Sequence, residues 1–363
     1  MSTKQRMMAG VLAVLALAVG GRIEAQQLER VSQRLENPWG MSFVDAETLL
    51  VTERGGGLSV VDLVDGAVRA VAGTPKASAG GQGGMLDVLY DGGEVFLCFT
   101  GGAGLGRTST TLGKGRWNPD GPALEGYEEL FQASNPGFGI HHFGCRLGFD
   151  TAGQLYMTIG DRLNQDSAQS AGTHLGSTIR LNRDGSVPAD NPFVGVQGAQ
   201  PELFSIGHRN PQGMTIHPGT GEVWINEHGP QGGDEINVLE AGANFGWPLY
   251  TFGERYGGGK IGQGTGAPGF VDPLWHWTPS IAPSDMTFVP AGSQFPEYEG
   301  DLLVTSLKFK RLYHVSVEGR SVTGQAVVLD GNLGRLRDGE VGADGAIYLL
   351  NDEEQGGVYR LSR

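Results

Sequence analysis

The sequence contains only two cysteines, Cys98 and Cys145, in 363 residues. Two cysteines cannot build a disulfide scaffold, and a chain of this length can bury a core that does not need one. Both cysteines lie in apolar runs typical of buried free thiols, so free thiols are the preferred interpretation. One disulfide between Cys98 and Cys145 remains the alternative.

An excess of positive charge is also missing. The chain has 26 lysines and arginines against 40 aspartates and glutamates, which gives a net charge of −14 at pH 7. A groove that holds a nucleic-acid backbone needs a strong positive field. The composition therefore argues against nucleic acid as the partner.

Long apolar runs are absent after the N-terminal segment. There, the basic residues Lys4 and Arg6 precede an apolar run over residues 7–19, which is too short to span a bilayer. This layout predicts a cleavable signal peptide over residues 1–25, with an N-terminal anchor as the alternative. Residues 26–363 alone carry a net charge of −16. We expect a periplasmic or secreted protein with no membrane span in the mature chain.

Glycine, by contrast, is abundant, at 62 of 363 residues, against an average usage of about 7 %. Many glycines lie in turns of a unit that recurs six times: a short apolar strand, a turn and a second strand. The six units cover residues 41–53, 86–100, 147–161, 215–227, 286–305 and 341–352. No comparable segment after residue 25 shows sustained helical periodicity.

The spacing of these units predicts an all-β fold. Their starts are 45 to 71 residues apart, which leaves room for four strands and their loops. Six four-stranded antiparallel units that close on themselves form a six-bladed β-propeller, which protects most strand edges. A β-sandwich would not generate six similar units. We therefore predict a single propeller domain over residues 26–363, with a strand over residues 28–35 completing the last blade.

A histidine and an aspartate stand at the two ends of the third unit. His142 precedes the strand that contains Arg146, and Asp161 ends the second strand of the same hairpin. A histidine can act as a base near neutral pH when a carboxylate fixes its tautomer and stabilises the imidazolium. An isolated loop histidine is more often only solvated or hydrogen-bonded, so the surrounding motifs must decide.

Those motifs are residues 142–147, 207–213 and 227–237, with the sequences HFGCRL, GHRNPQG and EHGPQGGDEIN. Together they resemble the soluble aldose sugar dehydrogenases that use pyrroloquinoline quinone (PQQ) and calcium. The resemblance implies that His142 removes the proton of the anomeric hydroxyl while hydride leaves C1 for the quinone C5. Asp161 would orient His142, and Arg209 would stabilise negative charge on the quinone oxygen.

The same resemblance implies a binding site for the cofactor and the aldose. PQQ carries three carboxylates, which suit guanidinium partners, and residues at i and i+2 such as Arg335 and Arg337 share a face of extended chain. The implied cofactor contacts are Gln82, Arg209, Asn210, His228, Ser280, Lys308, Arg335 and Arg337. The implied sugar contacts are Gln82, Gln165 and Trp277, the last as a stacking surface.

Calcium is implied at two places. The main-chain oxygens of Gly229 and Pro230 would hold the ion next to the quinone, because Ca²⁺ prefers oxygen ligands. A second, structural calcium would involve Glu235 and Tyr250, whose alternative roles are a capping carboxylate and a core aromatic.

The sequence departs from the soluble glucose enzymes at His141, which stands in place of an aspartate, and at His228, which stands in place of a glutamine. Two other functions stay open: a calcium-dependent propeller lactonase, which would not need Arg335 and Arg337, and a non-catalytic carbohydrate-binding propeller, which would tolerate loss of His142. The preferred sugar, the electron acceptor and the choice between monomer and dimer are not indicated.

Overall fold

The computed structural model describes residues 26–331 and 333–363, so the predicted signal peptide lies outside the described residues. Strands account for nearly all regular structure, and the described residues contain two short 3₁₀ helices, Gln165–Gln169 and Pro296–Tyr298. No helix in this part of the chain is long and apolar enough to cross a membrane.

The strands form six antiparallel sheets of four strands each, which confirms the predicted six-bladed propeller. The first strand, β1 (Gln27–Arg30), belongs to the last blade. The first blade contains β2 (Pro38–Phe43), β3 (Thr48–Glu53), β4 (Gly57–Asp62) and β5 (Val68–Ala70). The second contains β6 (Met85–Asp91), β7 (Glu94–Gly102), β8 (Thr108–Asn118) and β9 (Ala123–Gln132). The third contains β10 (Gly144–Phe149), β11 (Leu155–Ile159), β12 (Ser177–Leu181) and β13 (Leu203–Ile206).

The remaining three blades follow the same order. The fourth contains β14 (Pro211–Ile216), β15 (Val223–Glu227), β16 (Asp234–Val238) and β17 (Trp275–Trp277). The fifth contains β18 (Pro283–Phe288), β19 (Leu302–Ser306), β20 (Arg311–Glu318) and β21 (Ser321–Asp330). The sixth contains β22 (Leu336–Val341), β23 (Ile347–Asn351) and β24 (Val358–Ser362), with β1 outermost.

The N-terminal strand closes the ring, as predicted, although it is shorter than expected. β1 pairs antiparallel with β24, with Gln27 opposite Ser362 and Leu28 opposite Leu361. The predicted strand over residues 28–35 ends at Arg30, and Leu35 adds only an isolated bridge to Gly356. The last blade is therefore assembled from both ends of the chain.

Each repeated unit of the sequence corresponds to the first two strands of a blade. The first strand lies at the central channel, and the second runs antiparallel beside it. The loop before every inner strand and the loop after every second strand therefore lie at the same end of the channel. Residues from all six blades can meet there.

The interface between the second and third blades contains a disulfide that joins Cys98 of β7 to Cys145 of β10. The preferred interpretation as free thiols is therefore wrong. Both residues are fully buried, as their apolar surroundings indicated. The blade interface places a second strand against the neighbouring inner strand, with the two Cα atoms 5.6 Å apart, within the range that a disulfide spans. Nothing in the separate sequence runs reveals this contact.

A buried ionic cluster crosses the channel below the loops. Arg146 of β10 lies 3.1 Å from Asp87 of β6, 3.6 Å from Asp285 of β18 and 3.0 Å from Asp338 of β22. Its Nε donates to the carbonyl of Gln212 in β14. The side chains of the arginine and the three aspartates are 1 to 7 % exposed. One guanidinium thus connects five inner strands.

The carboxylates of this cluster also bind the main chain. Asp338 accepts a hydrogen bond from the Met41 amide of β2, and Asp87 accepts one from the Leu147 amide. The contact to Met41 extends the cluster to the sixth inner strand. Burial raises the pKa of Asp87 to about 7, although Arg146 opposes the shift. The channel wall therefore depends on the positive charge of Arg146.

Candidate functional site

The loops at one end of the channel carry most of the residues that the sequence singled out. Gln82, His142 and Asn210 precede inner strands, whereas Asp161 and His228 follow second strands. This placement follows from the blade topology and explains how residues far apart in sequence share one site.

His142 and Asp161 form a buried pair. Asp161 Oδ1 lies 2.7 Å from His142 Nδ1, and Asp161 Oδ2 accepts a 2.8 Å hydrogen bond from Trp247 Nε1. The Leu163 amide also donates to Asp161 Oδ1. A carboxylate only accepts, so Nδ1 carries the proton and Nε2 keeps its lone pair. The geometry prepares Nε2 to accept a proton.

The environment keeps this histidine neutral near pH 7. Burial lowers the pKa of His142, and its hydrogen bond to Asp161 opposes that shift without cancelling it. The backbone of His142 has a positive φ of 53°, and its amide donates 2.8 Å to Gln82 Oε1. Gln82 therefore holds the loop from which the imidazole projects.

Two cavities adjoin at this pair. The first, which we call the channel cavity, has a volume of about 430 Å³ and is lined by Asn37, Trp39, Arg54, Gln82, Leu86, Phe143, Gly144, Asn210, Gln212, His228, Ala282, Leu307, Arg335, Arg337 and Asp352. The second, the side pocket, has about 360 Å³ and is lined by His142, Asp161, Leu163, Gln165, Arg209, Pro230, Trp247, Arg255, Tyr256 and Ile261. His142 lines the side pocket and the next residue, Phe143, lines the channel cavity, so the base stands where the two spaces adjoin.

The structure brings most of the implied cofactor residues to the channel cavity. Five line it: Gln82, Asn210, His228, Arg335 and Arg337. Arg209 lines the side pocket instead. Ser280 is buried, and its hydroxyl accepts a hydrogen bond from the Ala282 amide. Lys308 is exposed beside the ring of Phe309, and its neighbour Leu307 lines the cavity in its place.

Arginines give the channel cavity its charge. Arg337 is 6 % exposed and donates 2.7 Å to Asp352, with further hydrogen bonds to Gln212 and Ser284. Arg335 Nε is 3.9 Å from the same carboxylate. Burial alone would raise the pKa of Asp352, but Arg337 and the neighbouring arginines hold it below its usual value. Asp352 is therefore an anion at neutral pH.

The side pocket contains one implied sugar contact, Gln165, but not the implied stacking residue. Trp277 is 4 % exposed within the core of the fourth and fifth blades, and its Nε1 donates to Gln325. The structure therefore does not bring Trp277 to the pocket. Tyr256, which is 75 % exposed, supplies an accessible aromatic ring there instead.

The implied calcium ligands lie beside Arg209. Arg209 Nη1 donates 2.9 Å to the Gly229 carbonyl and 3.0 Å to the His228 carbonyl, and Pro230 lines the side pocket. Asp234 accepts a hydrogen bond from the Gly229 amide and fixes this loop. Among residues 26–331 and 333–363, no group of three or more His, Cys, Asp or Glu side chains is arranged to hold a metal. Main-chain oxygens are the available hard ligands at this point.

Glu235 and Tyr250 share a much smaller cavity of about 10 Å³, which is also lined by Glu227 and Thr251. Burial raises the pKa of Glu235 well above its usual value, and the nearby Glu227 raises it further. Two carboxyl groups at a cavity of this size favour one small cation or one water molecule.

Sequence reasoning missed several residues of the site, among them Trp247, Tyr256 and Arg54. Trp247 and Tyr256 come from the long connection between β16 and β17, which follows no repeat, so periodicity gives them no signal. Arg54 directly follows β3, the same position that Asp161 and His228 occupy near the ends of β11 and β15. The repeat could have identified Arg54 through this equivalence.

Comparisons with known proteins identify the family of the chain. The family described as Glucose / Sorbosone dehydrogenase matches residues 35–360. The chain is 35 % identical to aldose sugar dehydrogenase YliI of Escherichia coli K12 over 343 residues, 92 % of each protein. The apo crystal structure of the soluble E. coli aldose sugar dehydrogenase superposes with a TM-score of 0.90 at 34 % identity, over 93 % of this chain and 99 % of that one.

A PQQ-bound aldose sugar dehydrogenase from Streptomyces coelicolor shares the fold, with a TM-score of 0.78 at 23 % identity over 93 % of this chain and 98 % of that one. The extent of the family match and the identity to the E. coli enzyme decide the assignment. The chain belongs to the glucose/sorbosone dehydrogenase family of enzymes.

Proposed function

We propose that this protein is a PQQ- and calcium-dependent dehydrogenase that oxidises aldose sugars at C1 to the lactone. The observation that carries the proposal is the buried His142–Asp161 pair in a pocket next to an arginine-lined cavity. The relatives support it, because one is named an aldose sugar dehydrogenase and another was solved with PQQ bound.

The channel cavity suits a polycarboxylate cofactor. Its walls combine Arg335 and Arg337 with polar side chains, and Arg337 Nε is buried without a hydrogen-bond partner. Carboxylates are the natural partners for such donors. PQQ, when bound, supplies the quinone C5 that accepts the hydride from the sugar C1. Asn210, Arg335 and Arg337 would hold it.

His142 then acts as the general base. Its Nε2 accepts the proton of the anomeric hydroxyl, while the C1–H bond breaks and the C1–O1 carbonyl of the lactone forms. Asp161 keeps the proton on Nδ1 and stabilises the imidazolium, and Trp247 fixes the other carboxylate oxygen. The positive charge of Arg209 would stabilise negative charge on the quinone oxygen.

The walls of the side pocket supply contacts for the sugar. The Gln165 amide offers hydrogen bonds to hydroxyl groups, and the ring of Tyr256 offers an apolar surface for a pyranose face. The oxygen of Gln82 accepts a hydrogen bond from the His142 amide, and its NH₂ group can donate to a ligand. Trp277 is not part of this proposal.

Calcium completes the proposal at the main-chain oxygens of Gly229 and Pro230. In that role the ion would sit beside Arg209 and add positive charge near the reacting atoms. A second ion at Glu235 and Tyr250 would neutralise a pair of buried carboxyl groups. The Glu235 ion would support the fold and not the chemistry.

Reconstitution tests the proposed function. Metal-free protein titrated with PQQ and Ca²⁺ in the presence of several aldoses should gain sugar oxidation only when both additions are made. EDTA should abolish that activity, and Ca²⁺ with PQQ should restore it. Full activity in exhaustively demetallated protein would exclude calcium from the chemistry, and failure of PQQ to bind would exclude the proposed function.

The pH dependence of kcat/KM should report His142 in the free enzyme. The base must be neutral, and its folded pKa is lowered, so activity is present above that pKa and is lost as pH falls through it. We expect the acidic limb below the ordinary histidine value of about 6.5. The Asp161→Asn variant should move this limb to still lower pH and reduce the plateau, because it removes the negative charge of the carboxylate that raises the pKa of His142. If the acidic limb of the Asp161→Asn variant lies at the same pH as that of wild type, the limb reports the ionisation of a group other than His142.

We also propose that the chain is exported to the periplasm or the cell exterior. Disulfides persist mainly in oxidising compartments, and the Cys98–Cys145 bond fits such a compartment.

A further inference from the structure

Three guanidinium groups share one carboxylate at the wall of the channel cavity. Besides Arg337 and Arg335, Arg54 lies with its Nη2 3.5 Å from Asp352 Oδ1. Asp352 is the only acidic residue among those that line the cavity, so two positive charges are left without an anionic partner there. An anionic ligand would complete this arrangement.

The hydrogen bonds of these arginines are also incomplete. Arg54 Nη1 donates 2.8 Å to the Gly81 carbonyl, but the buried Nε atoms of both Arg54 and Arg337 have no partner. A buried donor without a partner destabilises the protein unless a ligand or water satisfies it. The side chain of Arg54 is 28 % exposed, so one part of it is accessible from the cavity.

The backbone around Arg54 is held closely. Gly84 has a φ of +152°, and a Cβ atom at this position would overlap the carbonyl oxygen of Arg54. Glu53 accepts hydrogen bonds from the Glu36 amide and from Ser59. The glycine-rich loop that carries Gln82 therefore packs against the segment that carries Arg54, which fixes where its guanidinium reaches the cavity.

We infer that Arg54 is a third arginine for the carboxylates of the bound quinone, with Asp352 as the anion that positions all three guanidinium groups. The inference rests on the proposed function, because it takes a tricarboxylate as the ligand. It assigns to Arg54 a binding role that the motifs of the sequence did not indicate.

The test is an equilibrium titration of calcium-loaded, PQQ-free protein with PQQ, followed by quenching of tryptophan fluorescence. Arg54→Gln should weaken PQQ binding by roughly tenfold to a hundredfold, the range expected for a charge-assisted contact. Arg337→Gln is the comparison inside the site. Arg69→Gln is the matched control, because Arg69 is an exposed arginine on β5 of the same blade. It should leave the titration unchanged.

The trimethyl ester of PQQ separates a carboxylate contact from a structural effect, because it removes the three negative charges. Wild type and Arg54→Gln should bind the ester with equal affinity, and Arg54→Lys should recover part of the lost affinity for PQQ. An equal loss of affinity for PQQ and its ester, or an Arg54→Gln curve that overlays wild type, would overturn the inference. If wild-type protein itself binds no PQQ, the proposed function fails instead.

Discussion

Replacing His142 by alanine is expected to lower the turnover of the PQQ-loaded protein by roughly 10²–10⁴, the usual contribution of a positioned general base. Asp161 holds the imidazole and is held in turn by Trp247, so Nε2 of His142 is positioned to take the proton, and alanine removes this group. Steady-state oxidation of an aldose at saturating PQQ and Ca²⁺ measures the effect.

His141→Ala is the matched control, since His141 is the adjacent, half-buried histidine, with its ring centroid 6.4 Å from that of His142. It should change turnover much less than His142→Ala does. The His142→Ala protein should still bind PQQ, because the arginines of the channel cavity are untouched. Turnover within a few fold of wild type in His142→Ala would remove this residue from the chemistry.

Replacing Arg146 by leucine is expected to reduce the free energy of unfolding by about 3–5 kcal/mol, the usual effect of removing one partner from a buried ionic group. The substitution leaves Asp87, Asp285 and Asp338 without their shared cation in the channel. It also removes the hydrogen bond to Gln212, so the link between inner strands is weakened. Chemical denaturation monitored by tryptophan fluorescence measures the change.

The loss of unfolding free energy in Arg146→Leu should depend on pH. Asp87 has a folded pKa raised to about 7, so the folded state holds a proton that the unfolded state releases above its ordinary value. Without Arg146 this pKa rises further, so the folded variant keeps the Asp87 proton at pH values where the folded wild type has released it. The destabilisation relative to wild type therefore grows as pH rises through about 7 and above. Arg116→Leu is the control, because Arg116 is an exposed arginine paired with Glu125. Its replacement should change the free energy of unfolding little. An Arg146→Leu protein as stable as the control variant at pH 8 would contradict the role of the cluster.

Much of the fold could be predicted because the repeat is local. Each unit is a hairpin of neighbouring strands, so the turn glycines and alternating residues of one unit appear together in the sequence. The proximity of His142 and Asp161 could be predicted for the same reason, since both belong to the loops of one hairpin. Local patterns therefore predicted the blades and placed His142 and Asp161 in one hairpin, whereas the role of His142 as a base was implied by the resemblance of the motifs.

The residues that escaped prediction depend on contacts between blades or on irregular loops. Cys98 and Cys145 meet only because β7 and β10 lie in adjacent blades. Trp277 was predicted to stack on the sugar, but its strand pairs with β16 and packs the ring into the core. Lys308 follows β19, where the chain directs Leu307 to the cavity. Side-chain direction at a strand end cannot be read from residue type.

The most direct measurement of the proposed chemistry is a single turnover of PQQ- and calcium-loaded protein with an aldose carrying deuterium at C1. Transfer of hydrogen from C1 predicts one lactone per bound quinone and a slower reaction with the deuterated sugar than with the ordinary one. A loaded protein that forms no lactone from any of a panel of aldoses would contradict the account. So would oxidation of the sugar at another carbon, with the C1 deuterium retained in the product.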